Sequence, residues 1–174
     1  ALADVPLVAP PGQKHEYSNA NYMVLGCILE AVTGQPYAEY VKARILTRLG
    51  MNLSEVGSVN GRPSVEPYQF ASAGVTSSTE DLALYLKLQL EPSNLKLQQA
   101  LLPKMQYGFG WYCDAAGNWA NHSGEFFSSL GNFQSFMALR PKTRRGFVVL
   151  SKLRKGLPSP HWAELEPVLI QAAL

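Results

Sequence analysis

Charge is scarce in this chain: 16% of its 174 residues are charged, and 15 basic against 13 acidic residues leave a net +2. So mild a balance gives no grip on nucleic acid or on an anionic membrane surface. The densest basic residues, Lys142, Arg144, Arg145, Lys152, Arg154 and Lys155, flank an apolar run and read as solvated strand ends. Cysteine is scarcer still. Cys27 and Cys113 are the whole supply, which excludes a disulfide framework, and both are expected to be reduced and buried. No stretch reaches the ~18 uninterrupted apolar residues of a membrane span, and no charged-then-apolar leader opens the chain. His15, His122, His161 and the two cysteines show no metal-ligand spacing, and no glycine loop is built to cradle phosphate. Neither a metal nor a cofactor is expected.

What the chain has is apolar material: 47% of it is hydrophobic, ample for one core in one domain. Residues 1–14 carry three prolines without a period and read as an extended arm. A helix is predicted from Ala20 to Val32, capped by Ser18 or Asn19 and ended by Gly34. Its residues are so uniformly apolar that it should be buried nearly all round. Pro36 suits the first turn of a second helix that ends near Gly50. Residues 52–75 read as a loop of uncommon length. Ser77-Ser78-Thr79-Glu80 is a capping box for a helix through Leu90, and Pro92 separates it from a short helix over Leu95 to Leu102.

After Pro103 the pattern becomes extended. Tyr107 to Cys113, Trp119 to His122, Phe133 to Leu139 and Gly146 to Leu153 are aromatic or β-branched runs between turn residues. Ser159-Pro160 opens a last helix, kinked at Pro167. Helices (1–103), then an antiparallel meander with a covering helix (104–174), make an α+β domain without internal repeats.

Two short patterns carry chemistry: Tyr17-Ser18-Asn19 at the mouth of the first helix, and His122-Ser123-Gly124 before a strand. Around them stand Leu25-Gly26, Thr33-Gly34-Gln35-Pro36-Tyr37, Leu49-Gly50-Met51, residues 73–82 and Tyr107-Gly108-Phe109-Gly110-Trp111. In this order the set resembles the serine β-lactamase-related family of class C β-lactamases, D-alanyl-D-alanine carboxypeptidases and β-lactamase-fold esterases. The resemblance covers nearly the whole chain, but it is to the C-terminal portion of such a protein. It implies the C-terminal part of a β-lactamase/transpeptidase-like fold, a periplasmic or secreted location, and a partner: an N-terminal segment carrying a Ser-x-x-Lys nucleophile.

The same resemblance implies the roles. Opening an ester or amide through serine needs a base for the hydroxyl proton and an acid for the leaving group. Tyr17 takes that role, although a phenol with pKa ~10 is a poor base unless lysine ammonium groups stand nearby. Asn19 can donate to a substrate carbonyl and accept from a lysine. His122 can hold a substrate carboxylate or steady the Tyr17 oxygen. Ser123, Gly124 and Glu125 form the substrate-binding edge, with Gly124 free of a Cβ and the Glu125 N–H serving as an oxyanion donor. Gly131 follows Gly124 by seven positions, longer than the family spacing, and Phe126-Phe127 can wall the site. Ser93-Asn94-Leu95-Lys96 fits Ser-x-x-Lys literally, but it follows the tyrosine motif rather than preceding it, and it is rejected.

The function expected is therefore acyl-enzyme hydrolysis of a small ester, peptide or β-lactam, with His122 in the place of lysine favouring an ester or D-amino-acid peptide. The rival is a non-catalytic binding module that keeps the cleft. A weaker rival uses Ser93 or Ser123 as nucleophile. Without the N-terminal segment the first helix and the strand edges should lie exposed, so that these 174 residues alone are insoluble or partly folded.

Overall fold

A computed structural model describes residues 6–98, 107–114, 116–128, 131–153 and 162–172. The first helix, α1 (Asn19–Thr33), starts where Ser18 turns extended and its hydroxyl accepts from the Ala20 N–H. It stops at Gly34, whose φ of 66° is the left-handed conformation that only glycine adopts cheaply. Residues 37–49 continue as α2 (Tyr37–Val41), a π-helical turn and α3 (Thr47–Leu49). Val41, Leu46 and Met51 are the buried centre of this helical part.

α1 is not buried all round. Gly26 is its one buried residue, Leu25 and Ile28 are more than half exposed, and Val32 is 80% exposed. Among the described residues α1 is packed by α2, by residues 67–69 and by α4 (Phe70–Ala73), which together cover one side. At Gly26 the approach is tight, since a Cβ there would stand 2.7 Å from that of Ala71. Cys27 lies on the uncovered side and is exposed, against the expectation of burial; both cysteines are thiols.

The stretch predicted as a long loop is folded. β1 (Glu55–Val56) pairs antiparallel with β4 (Val75–Thr76), and β2 (Ser58–Val59) with β3 (Arg62–Pro63). The period was too short to read from sequence because each strand is two residues long. α5 (Thr79–Gln89) is capped one residue later than predicted, by Ser78, whose hydroxyl accepts from the Asp81 N–H. Asp81 is buried and turns back across the chain, accepting from the Leu53 N–H at 2.8 Å and from the Ser54 hydroxyl at 2.7 Å. α6 (Pro92–Gln98) begins at Pro92, and the expected end of that helix at Leu102 falls outside the described residues.

The rest is an antiparallel sheet in the order β5 (Tyr112–Cys113), β6 (Ala120–Ser128), β7 (Gly131–Arg140), β8 (Arg145–Leu153). β6 runs well past the predicted end at His122. Pairs across the ladder fix the two faces, since directly opposite residues share one and neighbours along a strand alternate. Ala120, Leu139 and Gly146 line up on the face that meets α5, where Leu86, Leu90 and Trp111 complete the core. On the other face Phe136 is fully buried. α7 (Trp162–Ala172) contains Pro167, as expected; its predicted start at Ser159 and His161 lie outside the described residues.

Asp81 ties the 53–54 turn to α5, and replacing it removes the acceptor of the Leu53 N–H and one partner of the Ser54 hydroxyl. Asp81→Ala is expected to cost about 1–3 kcal/mol of unfolding free energy, measured by urea denaturation; an unchanged midpoint contradicts that role.

Candidate active site

Tyr17, just ahead of α1, and His122, on β6, are far apart in sequence and meet in the fold. Their ring centroids lie 6.5 Å apart at 43°. Tyr17 ends an extended stretch two residues ahead of α1, and the Ser18 cap sets the angle at which the chain turns into the helix. His122 sits on β6 opposite Met137, on the sheet face that carries α5.

The remaining predicted residues are placed unequally. Asn19 opens α1 and is exposed; with Ser18 as the cap, its amide is not spent on the helix end. Gly124 shares the His122 face opposite Ser135, and a Cβ there would come within 2.8 Å of the Ser135 hydroxyl oxygen. Packing thus gives a second reason for glycine, beside access for substrate. Ser123 and Glu125 alternate onto the other face, where Ser123 opposes Phe136 and the Glu125 carboxylate accepts from the Gln134 amide at 2.8 Å. Their side chains therefore point away from Tyr17, and only their backbone groups can serve at the strand edge. That edge is open: β5 pairs with Ala120 and Asn121, and no described strand flanks β6 beyond them. Phe127 is largely exposed along it.

Sequence reasoning passed over three rings. Tyr107 stands 4.7 Å from Tyr112 and 6.5 Å from Tyr17, and His15 lies 4.8 Å from Tyr107. A tight turn makes this possible. The Gly108 N–H donates to the Trp111 carbonyl at 2.7 Å, and Gly110 takes a φ of 83°, so Tyr107 and Tyr112 bridge across the turn. The Tyr107 hydroxyl is in turn 3.0 Å from that of Tyr22 on α1. The tyrosine at the head of the Tyr107–Trp111 motif was a signal, and so was His15, two residues before Tyr17 in extended chain, where alternate residues share a side.

Electrostatically the site holds protons on tyrosine and keeps them off histidine. Burial pushes the Tyr17 phenol above the ordinary range, and the Tyr22 and Tyr112 hydroxyls push the same way. Burial does the same to Tyr107 and Tyr112. It moves His122 in the opposite direction, towards the neutral imidazole. Lys14, the basic residue nearest in sequence, is paired with Glu16 at 2.6 Å.

Helices followed by an antiparallel sheet and a C-terminal helix make an α+β fold of the β-lactamase type. The chain belongs to the Beta-lactamase family, whose model matches residues 1–165. It is 30% identical to Protein flp of Staphylococcus aureus (strain MW2) over an alignment covering 82% of this chain and 34% of that protein. Among solved structures it is similar to a Beta-lactamase/D-alanine Carboxypeptidase from Yersinia pestis, with a TM-score of 0.70 and 18% identity, covering 95% of this chain and 57% of that one. A D-amino acid amidase from Ochrobactrum anthropi gives 0.65 and 20%, covering 92% and 57%. The chain thus spans about a third of that curated relative and little more than half of these structures.

The depressed His122 value sets a pH dependence. The unfolded chain takes up a proton near the ordinary histidine pKa of about 6.5, while the folded chain resists it. Stability contributed here is therefore complete above that value and is lost as pH falls below it. Thermal midpoints should drop on the acid side of about pH 6.5, and His122→Asn should flatten that limb. An identical acid limb in the variant contradicts the assignment.

Proposed function

We propose that this chain is the C-terminal part of a serine hydrolase that opens an ester, amide or β-lactam through an acyl-enzyme. The observation carrying this is the meeting of Tyr17 and His122 at the layer junction of a Beta-lactamase family fold. Tyr17 is the acid–base group, Asn19 meets the substrate carbonyl, and His122 steadies the phenol oxygen or a substrate carboxylate. The β6 edge at Ser123, Gly124 and Glu125 receives the substrate through its backbone, with the Glu125 N–H as one oxyanion donor.

The nucleophile comes from a further segment carrying Ser-x-x-Lys. Tyr17 supports that reading by what its surroundings do: they hold its proton, whereas a base needs it released. A lysine ammonium beside the phenol reverses the sign, because an opposite charge favours the ionised form. The uncovered apolar side of α1 supports it too, since a face of that size is covered in a stable domain. The domain of residues 1–174 is then completed by that segment, and its location is periplasmic or secreted, as in the family it resembles.

For the substrate class the guide is the two solved relatives, a Beta-lactamase/D-alanine Carboxypeptidase and a D-amino acid amidase. Small D-amino-acid amides, peptides or esters are the first to assay.

Tyr17→Phe is expected to lower turnover of such a substrate by at least ~10²-fold, the lower end for lost acid–base help, with the fold retained. Near-normal turnover overturns the role of Tyr17. A serine-reactive β-lactam probe should also leave its adduct on a serine outside residues 1–174 in the natively purified protein. An adduct on Ser93 or Ser123 would contradict the proposal. Folded protein that binds the probe reversibly but is never acylated is the non-catalytic binding module instead.

A further inference from the structure

The long interval between Gly124 and Gly131 is spent on strand. β6 continues to Ser128 and β7 begins at Gly131, and the ladder pairs residue for residue from Ala120 with Leu139 to Ser128 with Gly131, without a bulge. Alternation is therefore unbroken along β6, and His122, Gly124 and Phe126 stand in one row on the face that carries α5. Phe127 turns to the other face and is 61% exposed.

Phe126 is part-buried, and its two flanks differ. On one side it stands opposite Phe133 of β7, and Phe133 stands opposite Lys152 of β8. The Lys152 ammonium lies 5.3 Å from the centroid of the Phe133 ring, so Phe133 is held between the two neighbouring strands. On the other side of Phe126 is the β6 edge, which no described strand covers beyond Asn121. Phe126 thus offers apolar surface to whatever lies along that edge.

We propose that Phe126 is a specificity-determining residue, which walls the acyl side of the site and selects esters or amides whose acyl group carries an apolar chain or ring. The inference rests on the hydrolase reading above, which puts the reacting carbonyl at the Glu125 N–H. The direction of the substrate follows from the proton. Tyr17 protonates the leaving group, so the leaving group lies towards the end of the edge where Tyr17 meets His122. The acyl group then runs the other way along β6, and the first side chain it passes on the His122 face is Phe126.

The cross-strand pairs match that division. On the leaving-group side of Glu125 the pair on this face is Gly124 with Ser135, both small, and on the acyl side it is Phe126 with Phe133. A methyl group on the carbonyl gains little from the aromatic pair. A chain of several carbons, or a phenyl ring, lies against it and leaves water. Phe127, on the opposite face, takes no part.

The test is hydrolysis of the nitrophenyl esters of acetic, butyric and phenylpropionic acid by the natively purified protein, each kcat/KM divided by that ester's own rate with hydroxide. The corrected value should rise at least ~10-fold from acetate to phenylpropionate, the low end for an apolar group gained in an apolar site. Phe126→Ala should flatten the series, whereas Phe127→Ala should keep the rise. Phe126→Trp, whose larger ring takes up room at the edge, should lower phenylpropionate relative to acetate, and it decides the matter if the alanine variant does not fold. A rise that survives in Phe126→Ala or vanishes in Phe127→Ala overturns the inference, as does an unchanged series in Phe126→Trp. Turnover with a flat series in the unaltered protein removes the wall and leaves the hydrolase. No turnover of any of the three esters removes the hydrolase, and the wall falls with it.

Discussion

A slip of one residue between β6 and β7 would turn His122 and Gly124 away from α5 and bring Ser123 and Glu125 round in their place. The register between these strands is therefore the constraint on which the site depends. It is held on one face by Phe136, which has no exposed surface, and on the other by Leu139 and Ala120 against Leu86 and Trp111. A polar tie adds to it, as the Gln134 amide donates to Glu125 and its carbonyl accepts from Ser151 on β8. With both faces specified, His122 has one place to be. The β5 corner and the turn at Gly108 then bring Tyr107 and Tyr112 alongside it.

Two features of the molecule state the same deficit in different terms. Electrostatically, the Tyr17 phenol lies among other phenols and a neutral imidazole, with its proton held more firmly than in water. Sterically, α1 carries a long apolar side that the described elements leave uncovered. One added element that lies along α1 and presents a cation near its mouth answers both. Desolvation shifts an acid in one direction and a nearby charge shifts it in the other, so the same burial that keeps Tyr17 protonated would strengthen its response to a lysine.

Much of this was legible in the sequence. Ser18 as a helix cap, Gly34 as a helix end and Pro167 inside the last helix are local signals, set by residues within a turn of one another. The fold class followed from the change of period after Pro103. What could not be read depends on partners distant in sequence. Whether α1 is buried is decided by what packs on it, not by its own apolarity. The four short strands between residues 55 and 76 are too brief to show alternation, and the cap of α5 moved to Ser78 because Asp81 is drawn towards Leu53 and Ser54. The cluster of rings around Tyr17 is non-local by construction. Tyr17 and His122 were legible as motif residues, whereas Tyr107, Tyr112 and His15 join them only once the sheet has folded.

The most direct test of the account is the ionisation of Tyr17 itself. It is read from phenolate absorbance as the difference between the unaltered protein and Tyr17→Phe, in protein that carries the Ser-x-x-Lys segment. The account predicts a Tyr17 pKa below the ordinary phenol value of about 10, because the incoming lysine outweighs desolvation. A Tyr17 that still ionises above that value beside the nucleophile would contradict its role as the base.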